Sequence, residues 1–286
     1  MVWASADRPR GHSLLLNRAK TVVHGIFLKG ESPLPNSKST NIIMSKLVIL
    51  SGAGLSAESG VATFRDNNGL WEKHRFEDVC NFHTWQQNYD LVHRFYNQRR
   101  VQLGTVEPNA AHRQIAQWEA TYKTVLLTQN VDDLLERGGC KAIDHLHGFL
   151  TRMRCFACGN RWSIGYTAWQ EADRCPAEGC GNRSNVKPDV VFFGESAPVY
   201  SFLWDTMKSL ERGDVLLVIG TTGAVLPVDS MARNANCIRI LNNLTPSTEI
   251  NDRNFDYVFY EPATKAIRKI DSLLKQTLGR PSDSAS

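Results

Sequence analysis

Four cysteines fall into two close pairs in CFACGNRWSIGYTAWQEADRCPAEGC, Cys155 with Cys158 and Cys175 with Cys180. Four thiolates at this spacing suit tetrahedral structural zinc, and a saturated four-cysteine site keeps no open position for a reactive water. The competing reading is two disulfides. Seven cysteines in the chain is an odd number, which rules out a fully paired framework and points to a reducing compartment with one metal site. From these residues alone a zinc-ribbon nucleic-acid binder also stays open, with Arg152, Arg154, Arg161 and Trp162 around the first pair.

Other chemistry-bearing groups stand where apolar runs end. SGAGLSAESG (Ser51 to Gly60) follows KLVIL directly; glycines there permit a tight turn and close approach to a ligand, and a helix starting in it would aim backbone N–H groups at a phosphate. The spacing is neither the usual dinucleotide fingerprint nor a nucleotide-triphosphate loop, so a plain strand-to-helix turn competes. GTTG (Gly220 to Gly223) also follows a strand-like run, and two such turns favour a crevice for a large dinucleotide. TQNVDD (Thr128 to Asp133) ends a third run in amides and carboxylates. In extended backbone Asn130 and Asp132 share a face and could grip ribose hydroxyls or a carboxamide; an Asx turn is the plainer alternative. In AIDHLHG, His145 and His147 alternate in the same way, although a turn before Gly148 would separate them. A histidine has the right reference pKa to remove a hydroxyl proton.

The elements that must carry these groups are short and apolar: KLVIL (Lys46 to Leu50), VLLTQN (Val125 to Asn130), DVLLVIG (Asp214 to Gly220) and CIRIL (Cys237 to Leu241). Continuous apolar runs separated by longer mixed segments predict an α/β protein, a parallel sheet covered on both faces by helices. AAHRQIAQWEA, SFLWDTMKSLERG and ATKAIRKIDSLLKQTLG carry helical spacing. The cysteine stretch and an aromatic, helix-like segment from Trp71 to Leu103 interrupt the pattern as a smaller module. The expected boundaries are a flexible leader over 1–43, a discontinuous large domain over 44–70, 104–150 and 188–280, helical and zinc-binding parts of the small module over 71–103 and 151–187, and a flexible tail over 281–286. The 286 residues carry 42% hydrophobic and 22% charged residues with a net charge of +4, an ordinary globular balance and poor support for a nucleic-acid partner. No apolar run reaches the roughly 18 residues of a membrane span. The basic leader is compatible with organellar targeting or with a simple extension, and Met44 stands two residues before the first strand.

GAGLSAESG with TFR, TQNVDD, HLHG, the four cysteines, KPDVVFFGE, GTTG and NNLTPS occur in one order. As an ordered set they resemble the sirtuin family of NAD-dependent protein lysine deacylases from about Leu47 to the chain's end, closest to bacterial CobB-type members and to the class that removes acidic acyl groups. The resemblance implies a Rossmann-like domain that binds NAD, a cosubstrate consumed in the reaction, and a small module holding one structural zinc ion. It places Gly52, Ala53, Gly54, Ala57, Phe64 and Arg65 around the phosphates and nicotinamide ribose, and Gln129, Asn130 and Asp132 in the ribose and nicotinamide pocket. Gly220, Thr221 and Thr222 would meet the phosphate and adenosine portion, Asn243 the adenosine ribose, and Ala263 completes the cofactor set. His147 would be the base. Val190, Val191, Phe192, Phe193, Gly194 and Glu195 would pair with a substrate peptide and line the acyl-lysine channel. In the implied reaction the acyl oxygen attacks C1′ of the nicotinamide ribose, nicotinamide leaves, and a ribose hydroxyl activated by His147 attacks in turn; water then releases lysine and O-acyl-ADP-ribose. The implied partners are acylated proteins or peptides, and the implied compartment a bacterial cytoplasm.

FYNQRR places Tyr96 and Arg99 three apart, on one face if helical. A phenol beside a guanidinium can hold a carboxylate, and in the desuccinylase and demalonylase class this pattern does so; a helix-surface pair is the reading without that context. The chain departs from the family at Leu135, where histidine is usual, at Thr222 for serine, at Thr245 for glutamate and at Glu261 for glycine. Mono-ADP-ribosyl transfer is the competing enzymatic reading, since the same pocket could deliver ribose to another acceptor.

Overall fold

The computed structural model describes residues 45–62, 70–71 and 74–279; the expected leader and tail lie outside them. β1 (Lys46–Ser51) buries five of its six residues and runs straight into the glycine turn. Its side chains alternate as a strand must: Leu47 and Ile49 join one apolar cluster, Val48 and Leu50 another. Both faces of the strand are therefore covered, as the unbroken apolar run predicts.

After α1 (Gly54–Ala57), the paired β2 (Leu70–Trp71) and β3 (His74–Arg75) lead into α2 (Phe76–Val79) and α3 (Tyr89–Leu103). The chain returns through α4 (Ala110–Thr121), β4 (Lys123–Thr128), α5 (Leu134–Arg137) and β5 (Ile143–His145). Next come β6 (Gly148–Cys155), β7 (Arg161–Ser163) and β8 (Val186–Val190), an antiparallel sheet in the order β7-β6-β8. α6 (Tyr200–Lys208), β9 (Val215–Ile219), α7 (Val228–Asn234), β10 (Ile238–Asn243), a 3-10 turn (Asp252–Asn254), β11 (Tyr257–Tyr260) and α8 (Ala263–Thr277) follow among the described residues.

The large sheet has the order β11-β10-β9-β1-β4-β5, and each neighbouring pair is parallel. From β1 the chain builds outward through β4 and β5, then restarts at β9 and builds the other way. The strand order reverses between β1 and β9, and such a switch point at the strands' carboxyl ends is where open parallel sheets bind ligands. α4 and α8 cover one face with Ile115, Trp118, Ile267 and Leu274; α6 and α7 cover the other with Leu203 and Met231. The start of α4 is fixed by sequence: Asn109 accepts from the Ala111 and His112 amides, the His112 ring accepts from the Asn109 amide, and Asn109 Nδ2 donates to the Leu55 carbonyl. This capping box ties α4 to the turn beside the crevice.

A third cluster joins α3 to the sheet's mouth: Phe95, Tyr96 and Leu103 pack with Leu134, Leu150, Val190 and Phe192. Each fully buried side chain of this size contributes roughly 1.5–3 kcal/mol, so the seam holds α3 firmly. No helix among the described residues is long and apolar enough to cross a membrane.

Candidate active site

The turns after β1 and β9 nest against each other. The Gly52 amide donates to the Ile219 carbonyl at 2.9 Å and the Gly54 amide to the Gly220 carbonyl at 2.8 Å. A Cβ on Gly220, whose φ is +68°, would stand 2.3 Å from the Leu55 nitrogen, and one on Gly54 would stand 2.8 Å from the Gly220 Cα. Only glycine allows this approach. The expectation of a helix N-terminus aimed at phosphate is met only in part. α1 is a single turn, and the Gly54, Leu55 and Ser56 amides already donate to Gly220, Gly52 and Ala53 carbonyls. The glycines thus supply proximity more than a row of free donors.

Asn243 ends β10 beside this crevice. It is 6% exposed, and its Nδ2 has no hydrogen-bond partner among the described residues. Its neighbour Asn242 donates instead to the Phe259 and Glu261 carbonyls, so one asparagine is spent on the fold and the other is not. A buried orphan donor costs about 1–3 kcal/mol, which a ligand oxygen would recover. Thr221 is buried and its hydroxyl accepts from Gln129 Nε2 at 2.9 Å, bridging the loops after β9 and β4. The Thr222 carbonyl accepts from the Ser247 hydroxyl. Ala263 is buried at the start of α8, while Ala57 is exposed at the end of α1. Phe64 and Arg65 lie outside the described residues. The crevice, the glycine contacts and the orphan amide fit a dinucleotide with ribose hydroxyls.

Asn130 and Asp132 converge on Ser56, a residue that sequence reasoning did not single out. Asn130 Nδ2 donates to Ser56 Oγ at 3.1 Å. His112 Nε2 lies 3.3 Å from the same oxygen. Because His112 Nδ1 accepts from the Asn109 amide, its proton sits on Nε2, which donates to Ser56. The serine therefore turns its own proton toward Asp132, whose carboxylate also accepts from the Leu134 amide. The Asx-turn reading of TQNVDD holds for Asp132, and the same segment brings Asn130 against Ser56. Burial lowers His112 to about 4, keeping it neutral, and raises Asp132 to about 6.

The raised Asp132 value has a stability consequence. A carboxyl whose folded value exceeds its ordinary 3.8 stabilises the fold below that value and loses this contribution as pH rises through about 6. At pH 7.5 the ionised group therefore costs about 3 kcal/mol. Asp132→Asn is expected to raise the melting temperature at pH 7.5, with the gain over wild type disappearing by pH 4. Thermal melts across that range, read beside NAD binding, check both the gain and the accompanying functional loss.

The two histidines separate. β5 ends at His145, which lies 3.0 Å by Nδ1 from the Asn130 carbonyl and 2.8 Å by Nε2 from Glu136 and packs on Phe149. Gly148, with φ +82°, turns the chain, so the alternation seen in sequence does not survive. His147 faces the crevice mouth instead. Its Nδ1 donates to the Gln129 carbonyl at 2.9 Å, leaving a lone pair on Nε2, which accepts from the Tyr200 hydroxyl at 2.9 Å. Burial holds its pKa below the ordinary imidazole value, against a smaller opposing effect of the Gln129 carbonyl. A neutral imidazole with Nε2 as acceptor has the state a general base needs.

The VVFFGE segment runs beside His147. Val190 is buried at the end of β8, the Val191 amide donates to the His147 carbonyl, and the Phe193 amide donates to the Cys80 carbonyl. Phe192 is buried and stacks on Tyr96 with centroids 5.5 Å apart, whereas Phe193 is 43% exposed. Gly194 takes φ +85°. Glu195 turns inward, accepting from the Phe192 amide, Arg154 and the buried Lys187; its carboxylate braces the segment. On α3, Tyr96 and Arg99 are both buried. The Tyr96 hydroxyl meets the Cys80 thiol, and the Arg99 guanidinium lies 3.3 Å over the Phe95 ring and donates to its carbonyl. The surface-pair reading is thereby overturned.

Cys155, Cys158, Cys175 and Cys180 gather with all four sulfurs within 4.8 Å of one another. The contacts of 3.8 Å between Cys155 and Cys180 and 3.6 Å between Cys158 and Cys175 match the sulfur spacing of about 3.8 Å that a tetrahedron with Zn–S bonds of about 2.3 Å requires. None of the seven cysteines is in a disulfide. Trp169, Met153 and Val186 pack beneath the cluster. Cys158 alone of the four is exposed, so changing it leaves no core cavity. Cys158→Ser is expected to reduce bound zinc and to lower the melting temperature, because metal-binding free energy is folding free energy, with activity falling only as the module melts; zinc content and melting curves check this.

A parallel sheet with a glycine crevice at its switch point and a neutral histidine at the mouth defines a dinucleotide-using α/β enzyme. The chain belongs to the Sir2 family, whose model matches residues 52–227. An NAD-dependent protein deacylase of Helicobacter hepaticus is 42% identical over 255 residues, covering 82% of this chain and 98% of that protein. One from Trypanosoma brucei brucei is 39% identical over 228 residues, covering 76% and 90%. Among solved structures, a Sir2 homologue in complex with NAD superposes with TM-score 0.67 at 33% identity, over 82% of this chain and 91% of that one.

Proposed function

We propose that the protein is an NAD-dependent protein lysine deacylase that accepts succinyl- or malonyl-lysine as well as acetyl-lysine. Family membership and the similarly named relatives support the reaction class. The finer assignment rests on one observation: Tyr96 and Arg99 are buried on one face of α3, with Tyr96 stacked on Phe192 of the substrate segment. A buried guanidinium beside a phenol matches the far end of an acyl chain that carries a carboxylate.

The large sheet carries the cofactor: Gly52, Ala53, Gly54 and Gly220 approach the phosphates, Gln129, Asn130 and Asp132 hold the nicotinamide ribose, and Thr221, Thr222, Asn243 and Ala263 the adenosine side. NAD supplies an activated C1′, from which nicotinamide leaves as the acyl oxygen attacks. His147 Nε2 then takes the proton of a ribose hydroxyl while Nδ1 stays on the Gln129 carbonyl. Asn130, fixed through Ser56, orients the ribose. The substrate peptide pairs along Val190 to Glu195, a contact that reads backbone more than sequence. Zinc at the four cysteines holds the small module that carries this strand.

The test is mass spectrometry of acetyl-, succinyl- and malonyl-lysine peptides incubated with and without NAD. NAD-dependent loss of the acyl group, with the acidic acyls at least matching acetyl, is the expected result. Nicotinamide release without peptide, with label passing from NAD to protein, would replace this reading by ADP-ribosyl transfer.

A further inference from the structure

Tyr200 opens α6, and no motif in the sequence marks it. Its hydroxyl is 2.9 Å from His147 Nε2, with the two ring centroids 6.0 Å apart. The direction of this hydrogen bond follows from the other end of the imidazole. Nδ1 gives its proton to the Gln129 carbonyl, so Nε2 carries only a lone pair and the phenol must be the donor. Burial raises the Tyr200 pKa above its ordinary value, so the phenol keeps its proton at neutral pH. The ring packs against the apolar cluster of Leu203, Met207 and Val218 beneath α6, which sets where the hydroxyl stands.

The lone pair that Tyr200 occupies is the one that must receive the ribose proton. A single sp² lone pair accepts one good hydrogen bond at a time. We propose that Tyr200 is a positioning residue that caps the base in the cofactor-free enzyme. It holds His147 in the tautomer with Nε2 as acceptor, and it yields Nε2 to a ribose hydroxyl when the cofactor binds. The proposal rests on the deacylase reading only for the identity of the hydroxyl that displaces the phenol. The phenol must therefore swing aside once in each catalytic cycle, and cofactor affinity is lowered by the contact that it breaks. A net neutral hydrogen bond corresponds to roughly a two- to tenfold change in affinity.

Two measurements on the full chain test this. The first is calorimetric titration of ADP-ribose, which carries the ribose hydroxyls without allowing turnover, into wild type and Tyr200→Phe. Phenylalanine keeps the ring packing and removes only the donor. Binding two- to tenfold tighter in the variant, with the KM for NAD falling and kcat changing less, is the expected result; equal or weaker binding overturns the proposal. The second is the nitrogen-15 NMR signal of His147 Nε2 without ligand, assigned by its loss in His147→Asn. It should show an accepted hydrogen bond in wild type and move toward a bare lone pair in Tyr200→Phe. A bare signal in wild type overturns the cap by itself, including the case where the variant fails to fold. If wild type does not bind ADP-ribose, the cofactor reading and the displacement fall together, while the resonance still reports whether the cap exists.

Discussion

Replacing His147 with asparagine is expected to cut NAD-dependent deacylation by about 10²–10⁴-fold, the usual contribution of a positioned general base, with little change in melting temperature. Asparagine is the informative choice because its amide can still donate to the Gln129 carbonyl, which His147 Nδ1 now engages. What disappears is the basic lone pair. In the proposed reaction nicotinamide leaves before the base acts, so nicotinamide exchange driven by acyl-peptide should survive better than formation of free lysine. Equal loss of both would remove His147 from the base role. The pH dependence carries the same logic. The base must be neutral, and burial keeps His147 below its ordinary value, so the acid limb of kcat/KM should fall below the imidazole reference of about 6.5. Asp132, raised to about 6, titrates nearby. Profiles of His147→Asn and Asp132→Asn together assign the limb, and one that is unmoved in both belongs to neither group.

The parts of this site legible in sequence are those that backbone chemistry dictates. Apolar runs such as KLVIL point to strands covered on both faces, and glycines at their ends to tight turns that permit close approach. The spacing of the paired cysteines points to one shared metal site. What escaped was set by contacts between distant segments. Ser56 is one hydroxyl in a polar loop until α4 brings His112 against it across 56 positions and β4 brings Asn130 across 74. Tyr200 reaches His147 across 53. His145 and His147 look equivalent because alternation treats them alike; the turn at Gly148 and the partners Glu136 and Tyr200 distinguish them. Glu195 also braces its segment through Lys187 and Arg154, a role that its place in VVFFGE does not reveal. Charge partners of this kind carry no local signal.

The same reasoning decides how much Arg99 should matter. Arg99→Met is expected to lower kcat/KM on succinyl- and malonyl-lysine peptides by roughly two to three orders of magnitude, since leaving one partner of a buried charge pair unmatched costs about 3–5 kcal/mol. Acetyl-lysine, which presents no carboxylate to that wall, should change by no more than about threefold, within the ordinary cost of a conservative replacement. Methionine keeps an apolar stem against Phe95, where the guanidinium now lies 3.3 Å over the ring, so the packing of α3 is retained. Tyr96→Phe removes the hydroxyl at the Cys80 thiol while keeping the stack on Phe192. If the two side chains hold one carboxylate, their losses on succinyl peptide should be less than additive, as coupled partners are. Equal losses on acetyl and succinyl peptides would instead make Arg99 a structural residue of α3 and leave the acyl preference to another part of the pocket.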